Sequence, residues 1–287
     1  MKIFKQFLGL TFIVTIFIVA CSDNEATNNE VTKLKVADFK EVGVIHNQFL
    51  TNVKNNFNPD QSITDLDEKI DYVTTFNKNF VNNLEIDASK KLELTNYLEE
   101  HKNLVLEENV VNLSFGINNQ FSKTVNEEPS LFDLIEQLKK EDKLSDKSYV
   151  ILNSLTESLK LNYENVLSDI KLKENVENLI NEFDNHGFVG EEAEMVGTIL
   201  AISISSIEWW EENPDALDGL AARSELNQKS LIAPWLATDI GGEIIGGVYA
   251  GVVGNSWRSA AYGALGGAVF ASTGAAGRLG RWLFRVK

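Results

Sequence analysis

Apolar positions recur at helical spacing over the central part of the chain, from Leu34 to Gly187. Short polar turns separate stripes whose members lie three or four residues apart, the first stripe being Phe39, Val42, His46, Phe49, Val53 and Phe57. This spacing predicts six helices, at about residues 34–57, 62–83, 88–106, 130–138, 146–168 and 171–185. Gly187 follows the last of them and suits the left-handed position that ends many helices. Residues 107–126 are less regular, and the apolar run at 110–115 fits either a strand or a loop.

A more apolar stretch follows, from Ala193 to Trp210. Its uncharged centre, Met195 to Ile207, is only 13 residues long. A membrane-spanning helix needs about 20 residues, so the length predicts a buried helix instead. Trp209 and Trp210 at its end suit a buried aromatic corner better than an exposed surface for stacking on sugar or lipid.

The carboxyl end is rich in glycine. Residues 239–280 hold 12 of the 19 glycines, and small residues recur there every four positions, as Gly242, Gly246, Ala250 and Gly254 and as Gly263, Gly267, Ala271 and Ala275. On a helix this spacing gives a stripe with almost no side chains, against which another helix packs closely. With the turn signal Asn255-Ser256 between the two segments, it predicts a helical hairpin. Three environments remain open for it: the protein's own core, a membrane or partner helix, and a target membrane.

Charge is distributed unevenly along the chain. The residues from Ile244 onward carry five basic side chains and no acid, whereas the whole chain has a net charge of −16, so residues 1–243 carry −21. An acidic body repels phosphate, which argues against nucleic acid as its partner. The basic end suits anionic lipid or the acidic body. In a membrane hairpin, the residues expected at the interface are Trp257, Arg258, Arg278, Arg281 and Trp282.

The amino terminus has the features of an export signal. Lys2 and Lys5 precede an apolar run at residues 7–20, which ends at the single cysteine, Cys21. The sequence Ile18-Val19-Ala20-Cys21 resembles the lipobox of bacterial lipoproteins, and this resemblance implies that Cys21 is lipidated, with palmitate among the acyl groups. Residues 22–25, Ser-Asp-Asn-Glu, resemble the acidic export signal of surface lipoproteins in Bacteroidota. The alternative is an uncleaved anchor helix.

The glycine-rich end is also similar in composition to the glycine-zipper segments of class II bacteriocin-like peptides. That resemblance covers about 40 residues and implies membrane insertion or pore formation. It concerns composition alone, because no diagnostic motif accompanies it.

Few residues suggest chemistry. His46, His101 and His186 lie far apart in the sequence, and the first two fall on apolar faces, which predicts satisfied core histidines and no metal site. Asp239 and Glu243 share a helix face, and we expect an exposed helix start there, the alternatives being a polar path or a pair with Arg258. The remaining candidates for paired catalytic carboxylates are predicted to be solvated helix ends: Glu191, Glu192, Glu194, Glu208, Glu211 and Glu212.

These features together predict an all-α protein, an antiparallel helical bundle with a C-terminal glycine-rich helical hairpin. The expected divisions are a signal peptide at 1–20, a flexible tether at 21–33, an acidic helical body at 34–190, an apolar helix and polar connector at 191–230, and a glycine-zipper hairpin with a basic tail at 231–287. We expect a lipid-anchored protein of the bacterial outer membrane, facing the cell surface, with a non-enzymatic interaction role and no cofactor. The alternatives are an antagonist that inserts its tail into a target membrane and an enzyme acting on an envelope polymer.

Overall fold

The computed structural model describes residues 33–58, 60, 62–100 and 131–213, with residues 236, 239–242, 244 and 247 of the glycine-rich end. Helices make up these regions, and no strand occurs among the described residues, so the predicted all-α class is confirmed. A 3-10 turn at Val36–Phe39 leads into α1 (Lys40–Asn56), α2 (Leu66–Asn83), α3 (Ala88–Glu100), α4 (Leu131–Lys140), α5 (Asp146–Tyr163), α6 (Asp169–His186) and α7 (Glu191–Glu212).

Side-chain caps define several helix ends. The residue before each of α2, α5 and α6 accepts a hydrogen bond from the backbone N–H three positions later, these residues being Asp65, Ser145 and Ser168. Such a cap satisfies one of the backbone donors that a helix start leaves without an intrahelical partner. Gly187 ends α6 at φ 63° and ψ 53°, which confirms the predicted left-handed position.

Helix α7 lies at the centre of the bundle. Its apolar residues from Ala193 to Trp210 are buried, except for the half-buried Ile204, and it packs on α1, α5, α6 and the 3-10 turn. A helix that is apolar on all sides is stable when other elements surround it. The predicted buried helix is therefore confirmed, and α7 belongs to the same hydrophobic core as the helices before it. The chain becomes more apolar after residue 190, but the residues on both sides of this point contribute to one core. In the ranges given above, no helix is both long and apolar enough to cross a membrane.

Two glycines allow close approach to α7. Gly43 on α1 lies against Ala201 and Ser205, so that a Cβ there would lie 2.8 Å from the Ala201 carbonyl oxygen. Gly197 on α7 lies against the Phe39 ring, whose Cδ2 would be 2.6 Å from an added Cβ. The sequence pattern predicted close backbone packing at the glycine-rich end and did not predict the close packing found at Gly43 and Gly197 in the body.

The described residues of the glycine-rich end are part of the core. Leu236, Ile240 and Ile244 are completely buried and recur every four residues, which places them on one face of a helix. Gly242, which we predicted as a packing residue, is helical and buried, as are Gly241 and Gly247. The start of the predicted hairpin segment therefore packs into the protein's own core.

Candidate functional site

A cluster of buried polar side chains surrounds Asp239. The carboxylate accepts hydrogen bonds from His46 Nε2 at 3.1 Å and Trp210 Nε1 at 3.2 Å, and a third from the Ser206 hydroxyl. All four side chains are at most 2% exposed. We call these four residues the Asp239 hub. A buried carboxylate is costly unless donors surround it, and here two helices of the body supply three of them.

The helical spacing of α1 and α7 explains how the hub forms. His46 occupies an apolar-stripe position of α1, next to Phe49 on the buried face. Ser206 and Trp210 are four residues apart on α7 and share one face of that helix. Asp239 contributes the acid from helical backbone, so the hub joins α1, α7 and the glycine-rich end.

The His46 ring faces an oxygen acceptor on each side. Its Nδ1 lies 3.3 Å from Asn47 Oδ1, and its Nε2 lies 3.1 Å from the carboxylate of Asp239. The Asn47 amide nitrogen donates to the Ser205 carbonyl oxygen at 2.9 Å, which orients the amide oxygen toward His46. Each ring nitrogen therefore has an oxygen atom within hydrogen-bond distance. The prediction that His46 is a satisfied core histidine is confirmed.

The sequence-based interpretation of Asp239 is wrong. We expected an exposed helix start, but the Asp239 side chain is 1% exposed and bridges two helices. The physical reason is that α1 and α7 place donors around this position, and local charge patterning carries no information about them. Glu243 and Arg258, which we considered together with Asp239, are not among the described residues.

The order of groups in the hub differs from that of a nucleophilic triad. In such a triad, a histidine lies between the serine and the acid and takes the proton of the hydroxyl. In the hub, the acid lies between His46 and Ser206, and the hydroxyl donates to the acid. This order of groups and the burial of all four residues indicate that the hub holds helices together.

The acidic residues of α7 form two separate groups. Glu191, Glu192 and Glu194 lie in the first turn, and Glu208, Glu211 and Glu212 lie at the far end of the helix. Glu194 and Glu208 are 14 positions apart, which corresponds to about 21 Å along the helix axis. The two groups therefore do not converge, and in the described ranges no cluster of three or more His, Cys, Asp or Glu side chains is suited to a metal ion.

Each acidic group makes local contacts that stabilise the bundle. Glu192 accepts a hydrogen bond from the backbone N–H of Ser145 at 2.9 Å. Lys173 of α6 lies 3.1 Å from Glu211 and 3.7 Å from Glu208. Partial burial by itself would lower the pKa of Lys173, but the Glu211 bond and the neighbouring carboxylates outweigh it and raise the pKa above its usual value. These contacts tie the ends of α7 to the surrounding elements.

Trp209 and Trp210 form the predicted buried aromatic corner. They are 6% and 2% exposed, and their rings meet edge to face with centroids 4.9 Å apart. Trp209 Nε1 donates to Thr51 Oγ1 at 2.9 Å, so both indole nitrogens bond to groups outside α7. With both rings covered, neither is placed to stack on a sugar or on lipid.

Most of the other predicted site residues lie outside the described ranges. They are the lipidation residue Cys21, the packing residues Gly246, Gly254, Gly263 and Gly267, the interface residues Trp257, Arg258, Arg278, Arg281 and Trp282, and His101. His186 is described, and the Nδ1 of its exposed ring donates to the Glu182 carbonyl oxygen at 2.7 Å. The described histidines thus each have a hydrogen-bond partner of their own and form no common site.

Sequence reasoning missed the hub donor Ser206 and the neighbouring Asn47, whose amide oxygen faces His46. Neither residue carried a motif, because hydroxyl and amide side chains are common in helices. One signal was present: Asp239 interrupts an otherwise apolar segment, and an acid in such a segment needs a partner when the segment is buried.

These contacts define the chain as an all-α helical bundle that binds the start of its glycine-rich end through a buried polar hub. Comparison with family models, curated proteins and solved structures gave no match. The functional reasoning therefore depends on the residues and contacts of this chain.

Proposed function

We propose that this chain is a lipid-anchored protein of the bacterial outer membrane, facing the cell surface, with a non-enzymatic interaction role. The helical body acts as a rigid base, and the glycine-rich end is the element that contacts a partner helix or membrane. The proposed anchor is Cys21, through the lipobox-like sequence that ends there. No cofactor and no nucleic acid enter this proposal.

One observation carries the interaction role: the glycine-rich end starts inside the body. Leu236, Ile240 and Ile244 belong to the main hydrophobic core, and Asp239 bonds to α1 and α7. A recognition element is most specific when it extends from a rigid base. The sequence after Gly247 continues with small residues and basic side chains, which suit close helix packing and anionic headgroups.

The anchor is tested by metabolic labelling with radioactive palmitate in a bacterial host that processes lipoproteins. We expect the full chain to incorporate label and Cys21→Ala to incorporate none, because Cys21 is the only thiol. Ser22→Ala is the matched control, since it changes the neighbouring residue and keeps the lipobox. An unlabelled wild-type chain, or label retained by Cys21→Ala, would refute the anchor.

The second candidate is an antagonist whose glycine-rich end inserts into a target membrane. This function is favoured by the burial of Leu236, Ile240 and Ile244 in the body. Such burial would keep the start of the apolar segment out of water until the segment inserts into a membrane. Dye-loaded vesicles with about one-third anionic lipid distinguish the two functions. We expect no dye release by the full chain. Release that is abolished by Gly246→Leu combined with Gly267→Leu would instead establish the antagonist.

A further inference from the structure

We propose that the Asp239 hub is a latch: it holds the start of the glycine-rich end, described at residues 236, 239–242, 244 and 247, in the body, and loss of the hub releases this segment while the body stays folded. The latch depends on contacts within the fold and not on the envelope location proposed above. Its first support is connectivity. Helices α1 and α7 pack directly on each other, so their interface does not require Asp239. The segment, in contrast, obtains three hydrogen bonds from those helices through this one side chain.

The composition of the segment makes these polar contacts more important. Three of its seven described residues are glycines, which bury little apolar surface and lose more backbone entropy on ordering than other residues. The apolar anchors are Leu236, Ile240 and Ile244. A segment with few large side chains is held less firmly by packing than α7 is. The hydrogen bonds of the hub therefore supply a larger share of the free energy that holds the segment to the body.

The hub also sets the register of the segment. The sequence repeats its own pattern after four residues, as the pairs Asp239 and Glu243, Ile240 and Ile244, and Gly242 and Gly246. A slide by one helical turn, about 5.4 Å, would therefore present similar side chains to α1 and α7. Buried polar groups are best known for selecting one register among several of similar packing energy. Asp239 reaches its donors with a short side chain, and glutamate at the same place would add a methylene to a fully packed site.

Loss of either Asp239 or His46 should open the latch. Removing Asp239 leaves the donors of His46, Ser206 and Trp210 buried without this acceptor, and removing His46 leaves the carboxylate with less compensation. The body keeps its remaining contacts, including those of α5 with α4, α6 and α7. Release of the segment is then a local opening that costs less than global unfolding.

Limited proteolysis with thermolysin, which cuts before Leu and Ile, tests the latch on the full chain. Mass spectrometry maps cleavage before Ile240 and Ile244 and compares it with cleavage before Ile151 and Leu155 in α5. In Asp239→Asn we expect cleavage in the segment to be at least about tenfold faster than in wild type and at least about tenfold faster than in α5. His46→Gln should act similarly, and the double variant should be no faster than the faster single variant, because both remove the same contact.

Two further variants keep the test decisive. Ser206→Ala removes one donor of the hub and keeps Asp239 and His46 in place, so it tests the latch even if Asp239→Asn does not fold. We expect cleavage in the segment to be about threefold faster than in wild type. Glu243→Gln is the matched control, the same chemical change one turn further along, with cleavage at the wild-type rate expected. Equal cleavage of the segment and α5, an unchanged segment rate in Asp239→Asn and Ser206→Ala, or the same effect from Glu243→Gln would each overturn the latch.

Discussion

Replacement of Asp239 by alanine is expected to lower the free energy of unfolding by about 3–5 kcal/mol. The substitution removes an acceptor that three buried donors share, and it opens a cavity where the carboxylate lies. For a chain of this size, the loss corresponds to a decrease in Tm on the order of 10 °C. Chemical denaturation gives the free energy, and thermal unfolding followed by helical circular dichroism gives the Tm.

The triple variant Asp239→Leu, His46→Leu and Ser206→Ala is the informative control. It replaces three of the four hub residues with apolar groups and leaves Trp210 in place. We expect it to be more stable than Asp239→Ala, since the cost of a broken buried contact arises from the polar partner that is left behind. Glu212→Ala supplies a surface reference, with a change within about 0.5 kcal/mol. If Asp239→Ala changed stability no more than Glu212→Ala does, the buried hub would not exist in solution.

Replacement of Gly43 by alanine is expected to lower the free energy of unfolding by about 2–3 kcal/mol. The added Cβ would lie 2.8 Å from the Ala201 carbonyl oxygen, and backbone in the central helix cannot move aside as a flexible side chain can. Alanine in place of glycine favours the helix by about 1 kcal/mol, so a clash must exceed that gain to destabilise the protein. Chemical denaturation of Gly43→Ala and wild type measures the net effect of the clash and the gain in helix propensity.

Two variants separate the clash from helix propensity. Asn55→Ala places the same residue at an exposed position of α1, where we expect a small gain in stability. Adding Ser205→Ala to Gly43→Ala removes the hydroxyl that the new Cβ meets but leaves the carbonyl of Ala201 in place. We therefore expect only partial recovery. A Gly43→Ala protein that is more stable than wild type would show that α1 and α7 lie further apart than described.

The helices of the body follow from short-range pattern. The apolar stripe from Phe39 to Phe57 predicted α1, and Gly187 predicted the end of α6. These signals are local, because a helix joins residues three and four apart and a cap joins residues within one turn. The length of the apolar centre of α7 likewise predicted a buried helix.

The hub depends on contacts that sequence distance hides. His46 and Asp239 are 193 positions apart, and neither stands in a motif with the other. The hub donor Ser206 and the neighbouring Asn47 were missed for the same reason. Gly43 and Gly197 were missed because isolated glycines show where backbones approach only when the neighbouring element is known.

The sequence by itself determined the helical class, most helix bounds, the buried nature of α7 and the unequal distribution of charge, since each depends on composition or on spacing within a few turns. Only the tertiary structure decided that Asp239 is buried, that His46 bonds to it and that the start of the glycine-rich end packs against the body. The physical reason is that the burial of a polar group is set by which distant helices surround it. That arrangement is a property of the assembled core and not of any one segment.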